Sequence, residues 1–113
     1  HLGAFVNNKI IAHLSCYKPR PYHPYESHII EFGIRIRKDY CSSGLGSKML
    51  LILESLSQIL SFKRLQATVR ITNTQGINFY LKNGYTIEGL KKQAVYINGL
   101  YQDEYFISKI LNP

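Results

Sequence analysis

One unit limits what this chain can fold into more than any other: an alternating strand, a glycine–serine loop and a long amphipathic helix, in direct succession. From Ile29 to Arg37, Ile30, Phe32, Ile34 and Ile36 share one side, while Glu31, Gly33, Arg35 and Arg37 share the other. That is the period-two pattern of a strand with one buried face. Cys41-Ser42-Ser43-Gly44-Leu45-Gly46-Ser47 follows. A helix is then predicted from about Gly44 to Leu60, with Leu45, Met49, Leu53, Leu56 and Leu60 on one stripe and Lys48 away from it. The small residues of the loop leave a row of backbone N–H groups with little side-chain cover. The positive end of the helix points at the same place, which makes a site for an anion, most naturally a phosphate or pyrophosphate. A helix end contributes only ~0.3–1 kcal/mol to one such charge, so the row of N–H bonds must supply the rest.

The remaining elements follow from periodicity and turn chemistry. Residues 3–6 and 10–17 read as strands joined at Asn7-Asn8, a good hairpin pair. Residues 18–27 hold three of the four prolines and read as an ordered, irregular loop. Residues 65–71 read as a strand and 73–82 as a helix, capped by Thr72 or Asn73 and stopped by Asn83-Gly84. Residues 85–97 and 101–110 read as strands joined at Asn98-Gly99. The order is β-β-β-α-β-α-β-β. The expected fold is α/β (α+β), a mixed and largely antiparallel sheet flanked by helices.

At 113 residues the chain is expected to form a single domain. A mean hydropathy of −0.13 and no apolar run near the roughly 20 residues of a membrane span exclude an integral helical membrane protein. Two cysteines at unrelated positions, Cys16 and Cys41, suggest reduced thiols, and no signal peptide is legible, so a cytoplasmic location is expected. The net charge of +7 suits an anionic ligand. Its basic pairs, Lys63-Arg64 and Lys91-Lys92, are isolated, so nucleic acid is not the expected partner. No metal-type cluster of Cys or His stands out.

Two familiar phosphate motifs fail here. A P-loop needs Lys and then Ser or Thr after its second glycine, but Ser47-Lys48 follows Gly46. A dinucleotide fingerprint needs a third glycine where Met49 stands. What remains is a strand, Gly-x-Gly and a helix, then a later strand and an Asn-initiated helix carrying a tyrosine. In these segments the chain resembles the GNAT superfamily of acyl-CoA-dependent N-acetyltransferases. His28 to Ile34 and Lys38 to Leu50 look like the central strand and pyrophosphate loop. Val69 to Asn73 and Ile77 to Tyr85 look like the family's Asn–x–Tyr–x–x–x–Gly–aromatic segment. Glu88-Gly89 through Asp103-Glu104-Tyr105 looks like the closing hairpin of ribosomal-protein and spermidine-type members. The family usually carries Arg or Gln at the place of Cys41. It also begins with a strand and one or two helices before the hairpin that opens this chain, which therefore reads as trimmed at its N-terminal side.

The resemblance implies acetyl-CoA as cofactor and an amine as acceptor, either a small molecule or a protein N-terminus or lysine. Cys41, Ser42, Ser43, Gly44, Leu45, Gly46 and Ser47 would meet the pyrophosphate. Ile34 and Ile36 would offer backbone groups to pantetheine, with Asn73 reaching the same arm. Lys82 would either be solvated or meet the nucleotide phosphates. A lysine amine titrates near ~10.4 and an α-amine near ~7.7–8.0, so at neutral pH a base must take a proton. Glu31 is the candidate base, with His28 or water as alternatives and a surface pairing with Arg35 as the structural reading. Tyr80 is the candidate acid for the departing thiolate; the competing reading makes it a core aromatic beside Phe79. Cys41 has no base at a readable spacing and reads as a loop cysteine rather than a nucleophile. A shortened, non-catalytic coenzyme A-binding or protein-interaction module is the alternative function. The long closing hairpin at a sheet edge invites self-pairing, so a homodimer is expected.

Overall fold

The computed structural model describes residues 2–6, 9–20, 23–40 and 44–111; the Asn7-Asn8 turn and Cys41-Ser42-Ser43 lie outside the described residues. The order is β1 (Leu2–Val6), β2 (Lys9–Tyr17), β3 (Ile29–Ile36), α1 (Leu45–Ile59), β4 (Arg64–Arg70), α2 (Thr74–Lys82), β5 (Thr86–Ile97) and β6 (Leu100–Ile110). This is the predicted order, with boundaries moved by at most one residue. Short 3-10 turns at Pro24–Glu26 and Lys38–Tyr40 add local order to the connections around β3. The chain forms two compact units, residues 1–65 with 111–113, and residues 66–110.

In the first unit the strands run in the order β1-β2-β3, antiparallel throughout. β2 and β3 pair from Tyr17 opposite Glu31 to Ala12 opposite Ile36. The side chains of Ala12, Leu14, Ile30 and Phe32 are buried, as are Met49, Leu50 and Leu53 of α1. The row on β3 is as alternation predicts, although Ile34 and Ile36 are only half-buried.

Helix α1 keeps Met49 and Leu53 of the predicted stripe on its buried face and replaces the rest. Its buried residues are Gly46, Met49, Leu50, Leu53 and Ser57. Leu56 and Leu60 are exposed, together with Leu51, Ile52 and Ile59. Apolar residues on almost every side of the helix give its periodicity more than one solution. The face it buries carries two small residues, Gly46 and Ser57, which let a helix approach its neighbours closely.

In the second unit the strand order is β4-β6-β5, which places β5 at an edge. The β5–β6 hairpin turns at Asn98 and Gly99, both with left-handed backbone (φ 53° and 79°). Two left-handed residues are what a tight hairpin turn requires, and Asn-Gly is the pair that adopts them most readily. The register shifts between Lys91 and Val95, where Gln93 also has a left-handed φ and its N–H donates to Asp103 Oδ1 at 2.8 Å.

Candidate active site

Strand β3 presents Glu31 through its pairing with β2. The N–H of Arg37 donates to the carbonyl of Ile11 at 2.7 Å. Hydrogen-bonded and non-bonded pairs alternate along an antiparallel ladder. Counting back in the same register, Glu31 and Tyr17 are a bonded pair, whereas Ile34–Leu14 and Ile36–Ala12 are not. The main-chain N–H and C=O groups of Ile34 and Ile36 therefore point away from β2. Tyr17 Oη donates to Glu31 Oε2 at 2.7 Å. This bond raises the Tyr17 phenol above its usual range, with burial and the negative charge of Glu31 adding to it. Losing the proton would sacrifice the bond and set two anions side by side.

Around Glu31 the predicted neighbours fall differently. Arg35 stands opposite His13 in the register. A Cβ added at Gly33 would meet only Ser15 Oγ, at 3.5 Å, so the described packing there does not demand a glycine. His28 is exposed, and its carbonyl accepts from the N–H groups of Lys63 and Arg64 at 2.9 and 3.2 Å. Periodicity alone places Glu31 on a face but leaves its cross-strand partner open, because the long connection after β2 hides the register. Tyr17 is the residue that sequence reasoning missed.

The anion site expected from the sequence would lie at the opening of α1. Gly44 caps the helix with φ 81° and supplies no side-chain hydrogen bond to the first turn. That turn contains no acidic residue. A Cβ at Gly44 would have nothing within 4 Å. A helix start without a side-chain cap bond, open space at Gly44 and no acidic residue in the first turn fit a phosphate. Of the other loop residues, Leu45 and Ser47 are half-buried and Gly46 is buried, while Cys41, Ser42 and Ser43 lie outside the described residues.

Helix α2, in the second unit, carries the other predicted residues. Asn73 caps it, with Oδ1 accepting from Gly76 N–H at 2.9 Å. A side chain at position 76 would run into the Asn73 side chain at 2.5–3.1 Å, so the glycine keeps the cap in place. The C-terminal end is a Schellman closure. Tyr85 N–H returns to Tyr80 O at 3.0 Å and Gly84 N–H to Leu81 O at 3.1 Å, with Gly84 at φ 89°. The Tyr80 and Tyr85 rings meet edge-on at 5.8 Å, and Phe79 stands 5.3 Å from Tyr80. Burial pushes the Tyr80 phenol up to about 12. Lys82 is exposed in the last turn, where a cation favours the helix dipole.

A mostly antiparallel sheet, a helix that opens on an anion-receiving glycine and a second helix closed by Tyr–x–x–x–Gly–Tyr define a mixed α/β chain of transferase type. The chain belongs to the GNAT family of acetyltransferases: the model of the acetyltransferase (GNAT) family matches residues 1–85. The chain is 28% identical over 110 residues to the L-amino acid N-acetyltransferase AaaT of Escherichia coli K12, covering 96% of this chain and 67% of that protein. An acetyltransferase of the GNAT family from Streptococcus pneumoniae superposes with a TM-score of 0.87 at 31% identity, covering 97% of this chain and 65% of that one. YncA from Salmonella typhimurium, whose structure holds its cofactor acetyl-CoA, superposes with a TM-score of 0.83 at 19% identity, covering 94% and 61%. The chain thus spans about two thirds of the length of these relatives. The expected family and fold class are both borne out.

Proposed function

We propose that this chain is the acetyl-CoA-binding and catalytic part of an N-acetyltransferase that acetylates a primary amine by direct attack. The observation that carries this reading is the opening of α1 on Gly44 in a chain of the GNAT family, with open space at Gly44 and no acidic residue in the first turn. The backbone from Cys41 to Ser47 would hold the pyrophosphate. The outward main-chain groups of Ile34 and Ile36, with Asn73, would hold the pantetheine arm, and Lys82 the nucleotide phosphates. Bound acetyl-CoA supplies an acetyl thioester whose carbonyl carbon an amine can attack.

The residues of this chain then have two tasks. Glu31 takes a proton from the incoming ammonium, directly or through one water, and frees the nitrogen lone pair. Tyr80 donates a hydrogen bond to the sulfur as negative charge develops there. A thiol titrates near ~8.5, well below the buried phenol at about 12. Complete transfer from Tyr80 is therefore uphill; as the C–S bond breaks and the amide forms, the nitrogen sheds its second proton to solvent, which balances the proton the sulfur takes up there. This changes the role expected of Tyr80 from general acid to hydrogen-bond donor.

Similarity to AaaT, an L-amino acid N-acetyltransferase, makes small amines with a nearby carboxylate the first acceptors to try. The test is thiol release from acetyl-CoA across a panel of amino acids, polyamines and peptides, beside a calorimetric titration with coenzyme A. Amine-dependent thiol release is expected. Coenzyme A binding without release by any amine would favour the binding module instead, and neither binding nor release would overturn both readings.

A further inference from the structure

We propose that Tyr17 is a positioning residue for Glu31: its phenol reaches across the β2–β3 ladder and fixes the carboxylate that acts as the base. The inference rests on the role of Glu31 proposed above. Tyr17 and Glu31 are directly opposite each other, so their side chains leave the same face of the sheet. A one-residue slip would send Tyr17 to the other face, which ties the contact to this register. At 2.7 Å the bond from Tyr17 Oη to Glu31 Oε2 lies within the range of a charge-assisted hydroxyl–carboxylate hydrogen bond.

A glutamate on a strand has three side-chain torsions to fix before it can meet an ammonium in one place. Tying Oε2 to a rigid ring on the neighbouring strand removes most of that freedom. The tyrosine has few torsions of its own, so little order is lost in holding it. The raised phenol keeps Tyr17 a donor throughout the neutral and mildly alkaline range. Along the β2–β3 ladder, the register places His13 and Arg35 on this face, opposite each other and four residues along from the Tyr17–Glu31 pair, and Arg37 follows in the same row, paired with Asp39 at 3.7 Å. Gly3 of β1, opposite His13, adds none. Gly33, the next residue of β3 on that face, adds no bulk beside the carboxylate.

The test uses Tyr17→Phe and Glu31→Gln in the intact protein. The Phe variant keeps the ring and loses only the donor. Its kcat should fall about tenfold, the low end for the loss of one hydrogen bond to a charged group, as the pair is exposed. The KM for acetyl-CoA should stay at the parental value. A parental kcat in the Phe variant, or a loss that falls on KM instead of kcat, would overturn the proposal, since a tyrosine that merely packs predicts no such split.

A second readout needs no turnover. The Tyr17 ring, followed by carbon NMR, should titrate above the other exposed tyrosines in the parent and fall towards ~10 in Glu31→Gln. If it does not move, the contact does not exist in solution and the proposal fails whatever the kinetics. If it moves while Glu31→Gln turns over like the parent, the contact is real but Glu31 is not the base. That result removes the catalytic reading of Glu31 and the positioning role together.

Discussion

Tyr80 keeps its phenol inside the protein, only 6% exposed, and burial alone accounts for its raised titration to about 12. Two consequences follow at the scale of this one residue. For stability, a free tyrosine in the unfolded chain starts to ionise near ~10, whereas the folded one does not until about 12. Its contribution is therefore intact below about pH 10 and is lost as pH rises from there through about 12, where the folded form would have to bury a phenolate. For turnover, the phenol stays protonated through the whole assay range, so Tyr80 puts no alkaline limb on the rate below about pH 11. Tyr80→Phe should lower kcat by about 10- to 100-fold, the scale of one hydrogen bond to a developing charge. It should leave coenzyme A affinity and the pH profile nearly unchanged. Stopped-flow measurement of thiol release on both forms checks this, and a parental kcat in the Phe variant would make Tyr80 a packing residue alone.

At the scale of elements, the helix ends were the most legible parts of the sequence and the buried faces the least. Asn73, Gly84 and the Asn98-Gly99 turn each have one backbone conformation that their side chains, or lack of one, favour, and each stands where it was expected. The Tyr80–Gly84–Tyr85 spacing that marks the family is also, in physical terms, a helix stop. Gly84 takes the left-handed position, and the two tyrosines form the contact that closes the Schellman motif. Gly84→Ala should cost about 1–2 kcal/mol for the left-handed backbone. Its Cβ would also meet Lys109 Nζ at 3.3 Å, where that ammonium bonds Asn83 O and lies 5.5 Å from the Tyr85 ring. Thermal melting should show a fall of several degrees, about 4–8 °C per kcal/mol for a domain this small.

Helix α1 shows the other case. Leucine spacing suggested a stripe ending at Leu56 and Leu60, but those residues are exposed and the small ones are buried. Spacing cannot rank two apolar faces; only the neighbours can. The same fact decides how to probe the anion site. Gly46 is buried in α1, so a charge there would test the core. Gly44 is exposed, with open space where a Cβ would stand, and aspartate is among the few residues that tolerate its left-handed φ. Gly44→Asp should weaken coenzyme A binding about tenfold or more by setting a carboxylate against the phosphates. It should shift the melting temperature only slightly. Unchanged affinity by calorimetry would remove the pyrophosphate from this end of α1.

At the scale of the molecule, the order of strands and helices could be read residue by residue, because each element carries its own period. The two hairpin pairings could be read as well, but the pairing of β2 with β3 across a long connection could not, and with it went the Tyr17–Glu31 contact. Among the described residues no helix is long and apolar enough to cross a membrane. The outer position of β5 in its unit, with exposed Tyr96, Leu100 and Tyr101 near the hairpin turn, supports the expected homodimer. Light scattering across a concentration series should give twice the 13.0 kDa chain mass, and a constant monomer mass would remove that expectation.

One small bond has a consequence for the order of assembly. Leu111 is buried, and its N–H donates to the carbonyl of Lys63 at 2.8 Å, although the two residues lie far apart in the chain. The β5–β6 hairpin between them closes through contacts local in sequence and can form in microseconds. The link from 111 to 63 closes a long loop, and its entropy must be met before the bond gives anything back. The Leu111–Lys63 bond is therefore expected to form after the hairpin that lies between its two residues. Amide exchange during refolding should find hairpin protection first and Leu111 protection last.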